Sequence, residues 1–286
     1  MNTNIILNNI NQINNKKTLI NQLLQTIKNN VNIISINQIT HDKNPIVKSG
    51  GGDLYVCTID GDYEKYIYKE FKKIYNPEIK LMEMKLRMPI WSVLNKNPYF
   101  MKVISIVTDN TKKLFRGLIL ENLSDYESVH NMCEKNQYAL RNLAEPQRNK
   151  FQQIFVSICY YLFKLNLCSH IEHAGNIMIK KINNSDIEIK IVDPDEIGDR
   201  VGCGMIIDDQ KDSLKQLTVI LSTCYFPSRV ILDPINFLLD DDIYKGIKML
   251  IGSIGLDIKN IPTPSADDIK NVTQAIINIE DFHRLH

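Results

Sequence analysis

Two polar clusters, each beside an apolar run, contain the residues of this chain best suited to hold a metal ion and phosphate. The first, SHIEHAGN, ends at Asn176 and precedes apolar residues 177–179, while the second, DPD, begins at Asp193 and follows apolar residues 187–192. Such runs are typical of paired strands, and a hairpin would bring the two clusters to one end. Because Mg²⁺ prefers amide and carboxylate oxygens, the pattern predicts a magnesium and phosphate site. The alternative is an ordinary hairpin with polar ends.

A hairpin with a glycine cluster is predicted near the start of the chain. Residues 54–59 and 66–68 are β-prone runs joined by the turn Asp60-Gly61-Asp62. Three glycines, Gly50, Gly51 and Gly52, precede the first run. Glycine lets the backbone approach a ligand closely and direct its N–H groups toward phosphate oxygens, and a plain loop is the alternative.

A lysine and a glutamate follow this glycine cluster at informative spacing. Lys69 comes 17 residues after Gly52, at the end of the second predicted strand, and Glu83 lies in residues 79–94, which have helical apolar spacing. A strand lysine directed toward a helix carboxylate, beneath a glycine loop, is the ion pair that fixes nucleotide phosphates in protein kinases. The alternative is a solvated strand lysine and a surface glutamate.

Apolar patterns along the rest of the chain predict two more strands and six more helices. The strands are residues 100–107 and 114–121. The end of the second fits a linker between two lobes, where backbone groups near residues 120–122, Glu121 included, would bind an adenine edge. The strongest helix, residues 146–165, leads directly into the loop before Asn176. The other helices are residues 18–27, 124–136, 212–226, 244–254 and 266–282, the last with Ser265 as N-cap three residues before Asp268.

Bulk composition limits the classes of partner and compartment. The 286 residues suffice for two lobes or one large domain, and a net charge of +1 argues against nucleic acid as a partner. No apolar run approaches the ~20 residues of a bilayer span, so membrane insertion is not expected. The start of the chain lacks the pattern of a secretory signal, and the six cysteines have no CxxC spacing. We therefore expect buried free thiols in a reducing, cytoplasmic compartment.

These features occur in the order found in the protein-kinase-like superfamily. The chain resembles a compact, divergent member, similar to the minimal kinases that bacteria inject into host cells and to some viral kinases. The resemblance covers residues 45–226 and implies an α+β, two-lobed kinase-like fold with a shortened activation segment. It implies an N-terminal extension with a helix at 1–44, a small β-rich lobe and hinge at 45–122, and a mostly helical lobe at 123–286.

The resemblance also assigns roles by position. The three glycines at 50–52 resemble the phosphate-covering loop, although G-x-G-x-x-G is absent. Lys69 resembles the phosphate-anchoring lysine and Glu83 its helix partner, with Glu78 as a competitor. Asn176 and Asp193 resemble the two magnesium ligands.

The catalytic loop departs from the family pattern. Aligning Asn176 with the family asparagine places Ile171 at the catalytic aspartate, and isoleucine cannot accept a proton. With a one-residue deletion, Glu172 takes the carboxylate role. His170 and His173 are further candidate bases because histidine titrates near neutrality, and hydrogen-bonded structural roles are the alternative.

The resemblance implies ATP and Mg²⁺ as cofactors and a protein as substrate or partner, one from a host included. The first hypothesis is a phosphotransferase, and Ile171 keeps a pseudokinase that binds a nucleotide or a partner open beside it. A kinase-fold nucleotidyl transferase is a third hypothesis for the same reason. A small-molecule kinase is a fourth, because the H-A-G-N segment at 173–176 is similar to the loop of antibiotic and choline kinases.

Overall fold

The computed structural model shows a mixed α+β protein whose described residues divide into two compact units. One unit comprises the described parts of Met1–Ser92, Ile104–Leu120 and Asn271–His286, and the other those of Val93–Val103 and Glu121–Lys270. The structure describes residues 31–48, 51–72, 74–135, 142–167, 174–195, 197, 259 and 261–285.

A seven-stranded sheet dominates the first unit. Its strand order is β1-β6-β7-β5-β4-β2, with β3 also paired to β4, and β1 runs parallel to β6. The turn between β4 and β5 has Gly61 at a φ of 79°, a left-handed conformation that glycine adopts readily. The strands are β1 Asn32–Ser35, β2 Ile39–His41, β3 Val47–Lys48, β4 Gly52–Ile59, β5 Tyr66–Phe71, β6 Val103–Thr108 and β7 Phe115–Leu120.

This sheet is curled into a half-barrel. Its two outermost strands, β1 and β2, are joined by a single 3₁₀ turn, Ile36–Gln38, and such a turn rises only ~2 Å per residue. The opposite edges of the sheet must therefore approach each other. Inside the curl, Ile34, Ile36 and Ile59 pack against one buried cluster, which contains Ile39, Cys57, Tyr66, Tyr68, Val107 and Ile119.

The long helix α1, Pro77–Leu94, follows β5. Asn76 caps its start, since its side-chain Oδ1 accepts a hydrogen bond from the Ile79 amide at 3.2 Å. Proline is favoured at the first helical position because that N–H would have no partner within the helix. The apolar spacing of the sequence predicts this helix, and the side chains of Met84, Ile90 and Trp91 are fully buried.

The second unit contains a small three-stranded sheet in the order β10-β9-β8. Ser265 and Asp268 form a capping box before the last helix, because each accepts the other's backbone N–H, at 3.1 and 3.2 Å. The other elements of this unit are β8 Glu127–Ser128, α2 Val129–Lys135, α3 Glu145–Leu165, the 3₁₀ turn Ala174–Asn176, β9 Ile177–Asn183 and β10 Asp186–Ile191. The last helix, α4 Ala266–Leu285, belongs to the first unit from Asn271 onward.

Most predicted elements that fall on described residues are confirmed, with bounds shifted by a few residues. The helix expected at 124–136 is wrong in its first turn and begins at Val129, because Glu127 pairs with Ile179 as part of strand β8. Strands β1 to β3 are additions to the sequence-based assignment, and β1 and β2 lie in the segment assigned to an N-terminal extension. The helices predicted at 18–27, 212–226 and 244–254 lie outside the described residues.

Two chemical expectations can also be compared with the described residues. Cys57 is buried and carries a free thiol, and burial raises its pKa to about 12. Among the helices that the structure describes, none combines the length and the hydropathy that a bilayer span requires.

Candidate functional site

The β9–β10 hairpin brings Asn176 and Asp193 to one end of the second unit's sheet. Ile177 pairs with Ile191 in the antiparallel register, so the residues just outside that pair face each other. The Val192 amide donates to the Asn176 carbonyl at 3.0 Å, which closes the hairpin end. The predicted hairpin is therefore confirmed, and both candidate ligands are partly exposed at its end.

Asp193 has an unusual backbone conformation. Its φ of 57° lies in the left-handed region, which L-residues other than glycine rarely adopt, although Asp and Asn tolerate it best. The conformation costs on the order of 1–2 kcal/mol relative to the right-handed one. Such local strain is concentrated at functional sites, where the surrounding structure maintains it. Two other described residues that are not glycine, Lys112 and Asn166, share this conformation, so this φ alone does not separate a functional residue from one in an ordinary turn.

Asn176 and Asp193 carry amide and carboxylate oxygens, the chemical types of ligand that Mg²⁺ prefers. Mg²⁺ usually retains waters and is bound through one or two side chains together with substrate phosphates. Among the described residues there is no group of three or more His, Cys, Asp or Glu side chains that would hold a metal ion.

The outer edge of β10 is held at the same end. The Ile191 amide donates to the Tyr99 carbonyl at 2.8 Å, and the Met101 amide donates to the Ile191 carbonyl at 2.9 Å. Phe100, between them, is fully buried and its ring lies 6.1 Å from that of Tyr161 on α3. Ile191 is thus fixed by backbone hydrogen bonds immediately before the candidate ligand Asp193.

Lys69 occupies a central strand of the first unit. It pairs with Leu54 of β4 on one side and Leu118 of β7 on the other, and only 6% of it is exposed. Its Nζ lies 5.1 Å from the centroid of the Phe71 ring, a cation–π distance. The expectation of a lysine on a strand with a buried stem is met.

Glu83, the helix partner predicted for Lys69, has cations on its own helix. Its carboxylate accepts from Lys80 Nζ at 3.0 Å and from Arg87 Nε at 3.1 Å. Burial alone would raise the pKa of Glu83, but Arg87 and Lys80 outweigh it and hold the pKa below its usual value. Glu78, the competitor, is exposed in the first turn of α1. The Lys69–Glu83 pair stays a prediction.

Gly51 and Gly52, the described glycines of the cluster, differ in whether a side chain would fit at their positions. Gly52 pairs with Phe71, and a Cβ there would lie 2.7 Å from the Glu70 carbonyl oxygen, so strand packing explains this glycine. A Cβ on Gly51 would meet no described atom within 4 Å, and Gly51 is exposed in the β3–β4 turn. Gly51 is therefore the better candidate for close approach to a ligand. Gly50 lies outside the described residues.

Glu121, predicted near an adenine, has a side chain that forms a partly buried ion pair with Lys190. Both of its carboxylate oxygens lie 3.0 Å from Lys190 Nζ, and Oε2 also accepts the Lys102 amide at 3.1 Å. The Glu121 amide itself donates to the Lys102 carbonyl at 3.0 Å. Lys190 was not among the predicted site residues, because no local spacing relates it to a partner 69 residues earlier. An adenine contact by neighbouring backbone groups stays a prediction.

A cavity of about 400 Å³ borders this ion pair in the second unit. Its other charged lining groups also have partners, since Tyr126 Oη donates to Glu188 at 2.6 Å and Lys150 pairs with Asp186. Burial, followed by the Glu188 hydrogen bond, raises the pKa of Tyr126 above its usual value. With its charges matched in this way, the cavity is not an evident anion site.

The candidate bases His170, Glu172 and His173, together with Ile171, lie outside the described residues, so their roles stay predictions. Compared with known protein families and with curated proteins, the chain matches no family model and no curated protein.

Proposed function

We propose that this chain is an ATP- and Mg²⁺-dependent phosphotransferase with a two-lobed, protein-kinase-like fold, and that it acts on a protein. The observation that carries the proposal is that Asn176 and Asp193 lie at the same end of the β9–β10 hairpin, where the Val192 amide donates to the Asn176 carbonyl and Asp193 has a left-handed conformation. A ligand for a phosphate-bound metal would gain a fixed carboxylate from such a backbone conformation.

The order of parts in the first unit supports the same proposal. A glycine-containing turn joins β3 to β4, the adjacent strand β5 carries Lys69, and the next element, α1, carries Glu83. Protein kinases hold nucleotide phosphates with a glycine-rich loop, a strand lysine and a helix glutamate in this order. In the proposal, Lys69 binds the phosphates and Gly51 allows the turn to approach them.

The proposed reaction needs little covalent chemistry from the protein. A hydroxyl oxygen of the acceptor attacks the γ-phosphorus of ATP, the bond to ADP breaks, and the acceptor proton passes to a base. Mg²⁺ bound by Asn176 and Asp193 would neutralise phosphate charge during transfer. Glu172, His170 and His173 are the candidates for the base, which contributes about 10²–10⁴-fold to such rates.

Transfer from ATP labelled on the γ-phosphate tests the proposal. The full-length chain should label an acceptor protein from candidate host extracts, and Lys69→Met and Asp193→Asn should each lower the rate at least about a hundredfold. Lys48→Met, which removes an exposed lysine of β3, is the matched control and should keep the rate. Undiminished transfer in both site variants would contradict the proposal. Label transferred from the α-phosphate instead would indicate a nucleotidyl transferase.

Ile171 favours a second candidate function, a pseudokinase that binds nucleotide or a partner without transfer. Its signature is binding of a magnesium nucleotide by the wild-type chain with no labelled product from any acceptor. Partner binding should then survive Asp193→Asn. Turnover that is lost in Asp193→Asn would exclude this candidate.

A further inference from the structure

Glu121 and Lys190 form a partly buried ion pair in the second unit. Lys190 Nζ donates to both oxygens of Glu121 at 3.0 Å, and the Lys190 and Glu121 side chains are only 10% and 26% exposed. Two hydrogen bonds to the Lys102 backbone fix the position of the glutamate: the Lys102 amide donates to Glu121 Oε2, and the Glu121 amide donates to the Lys102 carbonyl. A buried lysine is therefore held by a carboxylate whose own geometry is constrained.

This contact lies close in the chain to the candidate metal ligands. Lys190 is followed by Ile191, which is bonded to Tyr99 and Met101, then by Val192, whose amide closes the hairpin end on Asn176, and then by Asp193. Any shift of β10 along its axis would move Asp193 relative to Asn176. The ion pair opposes such a shift, because Lys190 would lose its two hydrogen bonds to the Glu121 carboxylate.

We propose that the Glu121–Lys190 ion pair is a positioning element that sets the placement of Asp193 relative to Asn176 and thereby the metal affinity of the hairpin end. The metal ion in this inference depends on the proposed function. The positioning of Asp193 by the ion pair is argued from geometry alone. Groups that orient metal ligands typically change metal affinity by about 10–100-fold when they are mutated.

A purely stabilising role does not account well for this pair. Buried ion pairs often contribute no more stability than apolar side chains of the same size, since desolvation offsets the attraction. The adjacent strand offers a contrast in the Lys180–Asp125 pair, which is 3.2 Å long with side chains 34% and 73% exposed. That pair lies on the same sheet without the backbone bonds that fix Glu121, so it serves as a matched control.

The test compares Lys190→Met, Lys190→Arg and Lys180→Met in the full-length chain. The first readout is amide hydrogen exchange at Val192 without nucleotide, with Leu118 in the first unit as a reference for global unfolding. The second is the affinity for Mn²⁺, a paramagnetic probe in place of Mg²⁺, measured by electron paramagnetic resonance with a non-hydrolysable ATP analogue.

We expect Lys190→Met to speed exchange at Val192 about tenfold relative to Leu118 and to weaken Mn²⁺ binding about tenfold. Lys190→Arg can keep a charged pair with Glu121, so its Val192 exchange rate and its Mn²⁺ affinity should both be close to those of wild type. Lys180→Met should change neither the exchange rate nor the affinity. Val192 exchange and Mn²⁺ affinity that both stay within about twofold of wild type in folded Lys190→Met would overturn the positioning role. Faster exchange with unchanged affinity would equally overturn it.

Failure of the proposed function has a different signature. If the wild-type chain binds no Mn²⁺ with the nucleotide analogue, the proposed metal site is wrong whatever the exchange rates show. The claim that the pair controls metal affinity is then overturned as well, while faster Val192 exchange in Lys190→Met would still support its control of the hairpin end.

Discussion

Lys69 in the first unit and Asp193 in the second are positioned in opposite ways. Lys69 is held in a central strand with a neighbour on each side and is almost fully buried. Asp193 comes just after the end of an edge strand, is partly exposed, and has a strained backbone. A residue fixed by a sheet depends on the stability of the whole sheet, whereas one fixed by a few local bonds does not. Substitutions should therefore affect folding around Lys69 and local geometry around Asp193.

The largest loss of stability is expected from Arg87→Met in the first unit. Arg87 is 2% exposed and pairs with Glu83, so its removal leaves a mostly buried carboxylate with one partner fewer. We expect a loss of about 3–5 kcal/mol in urea unfolding. Lys80→Met removes the more exposed partner, with a side chain 32% exposed, and should cost about 1 kcal/mol or less. Equal losses of stability in Arg87→Met and Lys80→Met would contradict the expected difference between the buried and the more exposed cation.

A smaller effect is expected in the glycine turn. Gly52→Ala places a Cβ 2.7 Å from the Glu70 carbonyl, so we expect a loss of about 1–3 kcal/mol. Gly51→Ala meets open space among the described atoms and should leave stability within about 0.5 kcal/mol while weakening nucleotide binding. Thermal unfolding and nucleotide titration of both variants check this. Normal nucleotide binding by Gly51→Ala would remove the role proposed for this glycine.

Acid titration gives an independent measure of the Glu83 cluster. The folded-state pKa of Glu83 is below its ordinary value of 4.5, so its ionised form stabilises the fold above that pH. This contribution is lost as the pH falls from the ordinary value through the lower folded one. Wild type should therefore lose more stability than Lys80→Met and Arg87→Met between about pH 5 and pH 3 in urea unfolding. Parallel pH profiles for the three proteins would show that these cations do not lower the pKa of Glu83.

In the second unit, Asp193→Gly and Asp193→Ala should differ by about 1 kcal/mol in favour of glycine, which adopts a positive φ without strain. Both variants lack the carboxylate, so Mn²⁺ binding with nucleotide should be weakened equally. Calorimetric unfolding and metal titration separate the two properties. If alanine is as stable as glycine, the left-handed conformation of Asp193 is not maintained in solution.

The smallest effects are expected from two tyrosines of β5. Tyr68 is fully buried and its hydroxyl has no hydrogen-bond partner among the described residues, so Tyr68→Phe should be neutral or stabilising by up to about 1 kcal/mol. Tyr66 donates to Asp62 at 2.6 Å and to Glu64 at 3.0 Å, and Tyr66→Phe should cost about 1 kcal/mol. Chemical denaturation of both proteins tests the predicted difference in sign.

Local sequence signals predicted the elements whose structure depends on local chemistry. The Asp60-Gly61-Asp62 turn indicated the β4–β5 hairpin, and Ser265 with Asp268 indicated the start of α4. Strand β1 was missed because its four residues, NIIS, are a strand only through parallel pairing with β6. The Glu121–Lys190 pair was missed for the same physical reason, since neither residue has a neighbour in sequence that indicates the other.

The candidate site was predictable to a similar extent. Asn176 and Asp193 were found together because a hairpin converts two sequence motifs into one location. The left-handed conformation of Asp193 was not predictable, because the following Pro194 favours an extended backbone at this position. Lys80 and Arg87 lie three and four residues from Glu83 on the same helix. These spacings would have indicated both contacts.

The 3₁₀ turn between β1 and β2 also has a consequence for synthesis on the ribosome. Asn32 of β1 finds its partner Ser105 only after more than 70 further residues have been added, whereas β2 pairs with the nearby strand β4. In a nascent chain, β2 would therefore pair with β4 first, and β1 would stay unpaired until β6 emerges from the ribosome. Closure of the curl would be a late event, and a stall in translation before Ser105 would leave the cluster around Tyr68 open to chaperones.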